Sequence, residues 1–128
     1  MRQDDATVLL EQMFDAAQSA LSYIEGMGKA NFLDDKRTRD AVALNLLVIG
    51  ELANRLSKSH QDVILAHPSV PFRDMQGMRN RVVHGYVHIN MTIVWETVVS
   101  SLPELIKTLP SIIQSARGPQ TPSSSGDR

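Results

Sequence analysis

The chain has 128 residues, 42% apolar and 21% charged, and no cysteine, which excludes a disulfide framework, a thiolate nucleophile and a cysteine metal site. That length suits one domain, enough to bury roughly two-thirds of the surface an unfolded chain exposes. A formal net charge of −1 excludes wholesale coating of nucleic acid, which needs a marked basic excess.

From Asp5 to about Met27, the residues Leu10, Met13, Ala17, Leu21 and Ile24 recur at three- or four-residue spacing and predict an amphipathic helix. Asp4 or Asp5 can cap it, and Gly26 or Gly28 can end it. Phe32 and Leu33 fall in a connection. Asp34 or Asp35 then caps a second helix near Lys36 to Lys58, with Val42, Leu46, Ile49, Leu52, Ala53 and Leu56 in period. Its middle, from Ala41 to Gly50, is apolar nearly all round and is predicted to be the most buried part of the fold. The polar exceptions are Asn45, Glu51 and Asn54. Glu51 either sits exposed on the rim or orients a positively charged side chain, and the sequence leaves both open.

A helical turn or two from roughly Gln61 to Ala66 precedes Pro68. Pro71 stands at the first turn of another helix, where its missing N–H costs nothing. That helix turns Met75, Met78 and Val82 inward and stops at Gly85. Ile89 and Asn90 read as staple and cap of the last helical region, which carries Ile93, Val94, Val98, Leu102, Leu105 and Leu109 in period. Pro103 and Pro110 are expected to kink or divide it, with Ser101 and Glu104 as a capping box for a restart. Residues 117–128 are polar and rich in Pro, Ser and Gly, and are expected to be a disordered tail. The expectation is one all-α domain over residues 1–116, an antiparallel bundle of four or five helices. No apolar run approaches about 18 residues, and the N-terminus lacks a basic region followed by an apolar one, so a cytoplasmic protein without a membrane span is expected.

Charge is unevenly placed. Between Arg55 and Met91 five basic residues face two acids, a local +3 that suits a small RNA-contacting site or a solvated helix face. The densest chemistry lies from Met78 to Tyr86. Arg79 can hold a phosphate bidentately and stays charged, while His84 can pass a proton in either direction near neutrality. Five residues of ideal helix separate them by a rise of about 7.5 Å and a turn of about 140°, so they do not share a face. Either the helix ends at His84 and frees the imidazole, or a second chain completes the site. Asn80, four residues from His84, shares its face and can fix the ring. The alternative is structural: Arg79 pairs with an acid and His84 bonds a terminal carbonyl. His84 and His88 have the spacing of two metal ligands, but Gly85 is expected to break the helix between them and no Glu follows His84, so no metal site is assigned. His60 and His67 read as surface or capping residues.

Arg79-Asn80, the four-residue spacer, His84 and then Tyr86 together resemble the signature of HepT-type (DUF86) ribonucleases of the HEPN superfamily. Ile49 to Ser57, Pro71 to Met78 and Val94 to Val98 resemble further segments of that family in the same order, so the resemblance spans residues 5 to 115, with Phe72 and Asn90 departing from its usual Trp and Asp. The resemblance implies a toxin that acts as a homodimer and cleaves RNA without metal or cofactor. An RNA 2′-hydroxyl would attack its neighbouring phosphate, with His84 as acid or base and Arg79 steadying the transition state. Asn80 and Glu51 are candidate supporting residues, and Arg73 and Arg81 candidate RNA contacts. It also implies an MNT-type nucleotidyltransferase antitoxin that attaches AMP to Tyr86. The rival expectation is a catalytically silent helical module that binds such a partner or a nucleotide.

Overall fold

The computed structural model describes residues 5–118. The expected tail lies, from residue 119 onward, outside the described residues. Among the described residues the chain is all-α: α1 (Ala6–Tyr23), α2 (Lys29–Asp34), α3 (Lys36–Ser59), α4 (Gln61–Ala66), α5 (Phe72–Gly85), α6 (Met91–Glu96) and α7 (Leu102–Ala116). A 3-10 turn, Tyr86–His88, follows α5, and a π-turn, Thr97–Ser101, joins α6 to α7 into one rod.

Four rods build the bundle: α1, α3, α5 and the α6–α7 run. Their directions follow from two sets of contacts. Asp40, early in α3, bonds Tyr86 just past α5, whereas Glu51, further along α3, bonds Arg79 inside α5. The numbers run in opposite senses, so α3 and α5 are antiparallel. Arg117 after α7 reaches Glu11 early in α1 at 2.7 Å, which makes α1 and α7 antiparallel as well.

Helix ends follow local chemistry. Asp5 accepts from the Thr7 amide at 2.9 Å, Asp35 from the Thr38 amide at 3.1 Å and Asn90 from the Thr92 amide at 2.9 Å, each satisfying an orphan donor. Gly26, at φ 78, follows α1 in the left-handed region that favours glycine. One apolar core runs between the rods. Leu9, Leu10 and Met13 from α1 meet Val42 and Leu56 of α3 and Leu109 of α7, all fully buried. Burying each such leucine, valine or methionine side chain stabilises the fold by about 1.5–3 kcal/mol.

Several expectations are corrected. Phe32 is not in a connection: it sits in α2, fully buried, with its ring 5.4 Å from that of Trp95. Six residues are too few to show a helical period. The middle of α3 is not buried all round, since Leu44 is 59% exposed, because neighbouring helices cover only part of its circumference. α5 does stop at Gly85, as expected, although with φ −156° rather than a positive φ, and the chain tightens into the 3-10 turn. Pro110 stays inside α7 without dividing it, held by buried Leu109 and Ile112. Ser101 forms no cap, because its backbone is already helical. The irregularity expected around Pro103 appears just ahead of it as the π-turn, where a proline cannot supply the N–H that would continue a regular helix. Among the described residues no helix is long and apolar enough to cross a membrane.

Candidate active site

The crossing of α3 and α5 is set by a glycine. A Cβ on Gly50 would lie 2.2 Å from Arg79 Cβ and 2.5 Å from the Met75 carbonyl oxygen, so only a residue without a side chain lets α5 approach this closely. That approach brings Arg79 against the next residue of α3. Glu51 Oε1 accepts from Arg79 Nε at 2.9 Å and from Asn54 Nδ2 at 3.3 Å. Of the two roles left open for Glu51, orienting a cation is the one found, although its carboxylate remains partly exposed. Burial raises the Glu51 pKa, but the bonds from Asn54 and Arg79 and the charges of Arg79 and Arg55 outweigh it, and the carboxyl lies below its ordinary value.

Arg79 Nη1 donates to Asn80 Oδ1 at 3.0 Å. Asn80 therefore does not fix the His84 ring as expected. The neighbouring guanidinium offers it a charge-assisted bond instead. Arg79 is thus gripped at two of its nitrogens, while Nη2 has no hydrogen bond among the described residues. An anion can be met there by a guanidinium already held in place.

His84 is exposed in the last turn of α5. The helix runs unbroken from Arg79 through His84 to Gly85, so the imidazole is not freed by an early helix end. The angular separation of about 140° stands. His84 lines a groove of about 520 Å³ together with Asn80, Arg81, His88 and Asn90. Asn80 belongs to both settings, bonding Arg79 and walling the groove. Arg73 and Arg81 are exposed on the face of α5 that carries His84.

Tyr86 is half-buried against the core, and its hydroxyl donates to Asp40. The 3-10 turn folds the ring back onto α3. Burial, then the bond and charge of Asp40, push the phenol pKa up to about 12. The Asp40 carboxyl is held below its usual range by the bond from Lys36 and then by that from Tyr86.

Gly50 and Asp40 are the participants that sequence reasoning missed. A glycine inside an otherwise apolar helix run was the available signal for the first. His60 and His67 lie at helix ends, at the termini of α4, away from this region. Among the described residues no group of three His, Asp or Glu side chains is placed to hold a metal ion.

A family model described as Ribonuclease HepT-like matches residues 13–112. The chain is 31% identical over 118 residues to “Putative RNase MJ0127” of Methanocaldococcus jannaschii, covering 92% of this chain and 95% of that one. It is 30% identical over 105 residues to “Putative RNase TTE0752” of Caldanaerobacter subterraneus subsp. tengcongensis, covering 82% and 91% of the two chains. It is 29% identical over 96 residues to “Probable ribonuclease HepT” of Thermococcus cleftensis, covering 75% and 84%. No solved structure gives a significant match. An all-α chain matched over 100 residues by one family model, and over most of its length by relatives named as RNases, belongs to the ribonuclease HepT-like family.

Proposed function

We propose that this protein is a metal-independent endoribonuclease, the toxin of a toxin–antitoxin pair, with Arg79 and His84 as its catalytic residues. The observation that carries the reading is the gripped guanidinium of Arg79, held by Glu51 and Asn80 with Nη2 left for an anion, beside a groove lined by exposed His84. In the reaction the RNA 2′-oxygen bonds to the adjacent phosphorus and the phosphorus–5′-oxygen bond breaks. The products are a 2′,3′-cyclic phosphate and a 5′-hydroxyl. The imidazole takes the 2′-hydroxyl proton or supplies one to the leaving 5′-oxygen, and Arg79 stabilises the charge that builds on the phosphoryl oxygens.

The unbroken helix keeps Arg79 and His84 on different faces, which favours a site completed by a second copy of the chain. Leu44, Val83 and Val87 are exposed at 59%, 44% and 89% and supply apolar surface for such pairing. Val83 and Val87 continue the four-residue spacing that begins at Arg79. Control falls to a nucleotidyltransferase antitoxin that transfers AMP to the Tyr86 oxygen, releasing pyrophosphate from ATP. The added phosphodiester then repels an RNA phosphate near Arg79.

The test is RNA cleavage by purified protein in excess EDTA. Wild type is expected to cleave, while Arg79→Ala and His84→Ala each lose about 10²-fold or more with helical content retained. Loss of wild-type cleavage on chelation, restored by a divalent cation, overturns the metal-free mechanism. A monomer that still cleaves overturns the shared site.

A further inference from the structure

Three glycines lie in the helices that build the site: Gly85 is the last residue of α5, and of the two in helix interiors, Gly50 and Gly77, only one is explained by the chain itself. Gly50 is required by the backbone of α5. Gly77, in the interior of α5, has nothing within 4 Å of where its Cβ would stand, and its φ is not positive. Glycine at such a place costs about 1 kcal/mol relative to alanine. No contact inside the protein offsets that cost.

The space beside Gly77 is a slot of about 320 Å³ between α3, α5 and the π-turn. Leu46, Ile49 and Met78 give it apolar walls, and its charged lining is Arg73, Arg81 and one acid, Asp74, so the positive charge is in excess. Neither arginine has a hydrogen bond or ion pair among the described residues. Ser101, which caps nothing, lines the far wall. π-turns recur at functional sites. The slot adjoins the groove of His84, since Met78, Arg81 and Ile93 line both.

We propose that this slot seats one unpaired base of single-stranded RNA, next to the phosphate that is cleaved. Its volume is at the small end of ligand pockets, right for one base and too small for more. Apolar walls accept the base faces, the thioether of Met78 supplies a polarisable contact, and a guanidinium plane can stack where no aromatic ring lines the slot. Arg81, shared by slot and groove, holds the phosphate between the seated base and His84. Arg73 lies eight residues earlier, about 12 Å along α5, and meets a phosphate on the other side of the base. The missing side chain at Gly77 is the room the base occupies. The inference rests on the reading of the chain as an RNase and adds to it which part of the substrate is gripped.

The experiment measures binding of a single-stranded RNA of about eight nucleotides, and of its abasic ribose-phosphate counterpart, to full-length protein carrying His84→Ala to prevent cleavage. The expected result is that RNA binds about tenfold more tightly than the abasic strand. Adding Gly77→Leu, which fills the slot, removes that preference without lowering the melting temperature, since leucine is the better helix former. Should Gly77→Leu fail to fold, Ser101→Leu fills the slot from the opposite wall and is held to the same result. A base preference that survives filling overturns the slot, and does so with the RNase reading intact if the parent protein cleaves RNA. Lost preference on filling, in a parent that cuts nothing, leaves the slot standing and removes the RNase reading. Absence of RNA binding overturns the slot, as does a filled variant that binds RNA normally but no longer binds a nucleotidyltransferase partner.

Discussion

Tyr86 donates its hydroxyl to Asp40, a residue 46 positions earlier, and so pins the turn after α5 to the start of α3. Asp40 Oδ2 also takes Lys36 Nζ at 2.8 Å, so one carboxylate serves both a cation and the phenol. The folded phenol pKa of about 12 lies above the ordinary tyrosine value, so this bond contributes fully below that ordinary value and is lost as pH rises through about 12. Phenolate absorbance in a Tyr23→Phe background, which leaves one tyrosine, should therefore rise late in an alkaline titration. Asp40→Asn should bring it earlier, and a midpoint unmoved by Asp40→Asn would refute the contact.

The same bond bears on control. For the phenol oxygen to attack the α-phosphorus of ATP it must shed its proton, and the carboxylate of Asp40 is the group already in contact to receive it. Co-expression with the cognate nucleotidyltransferase is expected to add AMP mass to wild type, none to Tyr86→Phe, and about tenfold less to Asp40→Asn in a timed reaction. Intact-mass analysis reads all three. AMP on any other residue would sink the assignment of Tyr86.

Glu51 should act on catalysis through Arg79. Glu51→Ala frees the guanidinium and is expected to lower kcat about 10- to 100-fold, in line with the cost of small misplacements of catalytic groups. Glu51→Gln keeps an acceptor and should lose less. Because the Glu51 carboxyl lies below its ordinary value, its contribution is present above the usual glutamate range and is lost as pH falls through the depressed value. The acid limb of the rate profile should move upward in Glu51→Gln only if another group takes over. An unchanged kcat in Glu51→Ala would remove the positioning role.

Gly50→Ala tests the close crossing. The added methyl meets the Met75 carbonyl and the Arg79 side chain at distances real contacts do not reach, so α3 and α5 must part. Thermal melts should show a loss of about 1–3 kcal/mol, with cleavage falling as Glu51 and Arg79 separate. Gly77→Ala should instead gain up to about 1 kcal/mol, because its Cβ meets nothing. Equal effects of the two substitutions would contradict this account of the crossing.

Much of the fold was legible because periodicity and caps are local. Leu10, Met13, Ala17 and Val42, Leu46, Ile49 announced the buried faces of α1 and α3, and Asp5, Asp35 and Asn90 cap helices as their chemistry dictates. What escaped was set by distance along the chain or by brevity. α2 is too short to carry a period, and the burial of Phe32 depends on Trp95, far away in sequence. The site divides in the same way. Arg79 and His84 were recognisable as chemistry, but the partner of Arg79 lies 28 positions away and that of Tyr86 46 positions away. Asn80 was assigned to the wrong neighbour because helical spacing ignores the pull of an adjacent charge.

The tilted ring pair of Phe32 and Trp95 has an optical use. Trp95 is the single tryptophan of the chain, half-buried against a ring that solvent does not reach, and neither residue lines the slot or the groove of His84. Its emission therefore reports whether α2 and α6 remain docked and stays largely blind to changes near Arg79. Substitutions in α3 and α5 can be sorted by one fluorescence trace: a variant that is silent on RNA yet keeps the native emission has lost chemistry, and one whose emission moves to that of an indole in water has lost its fold.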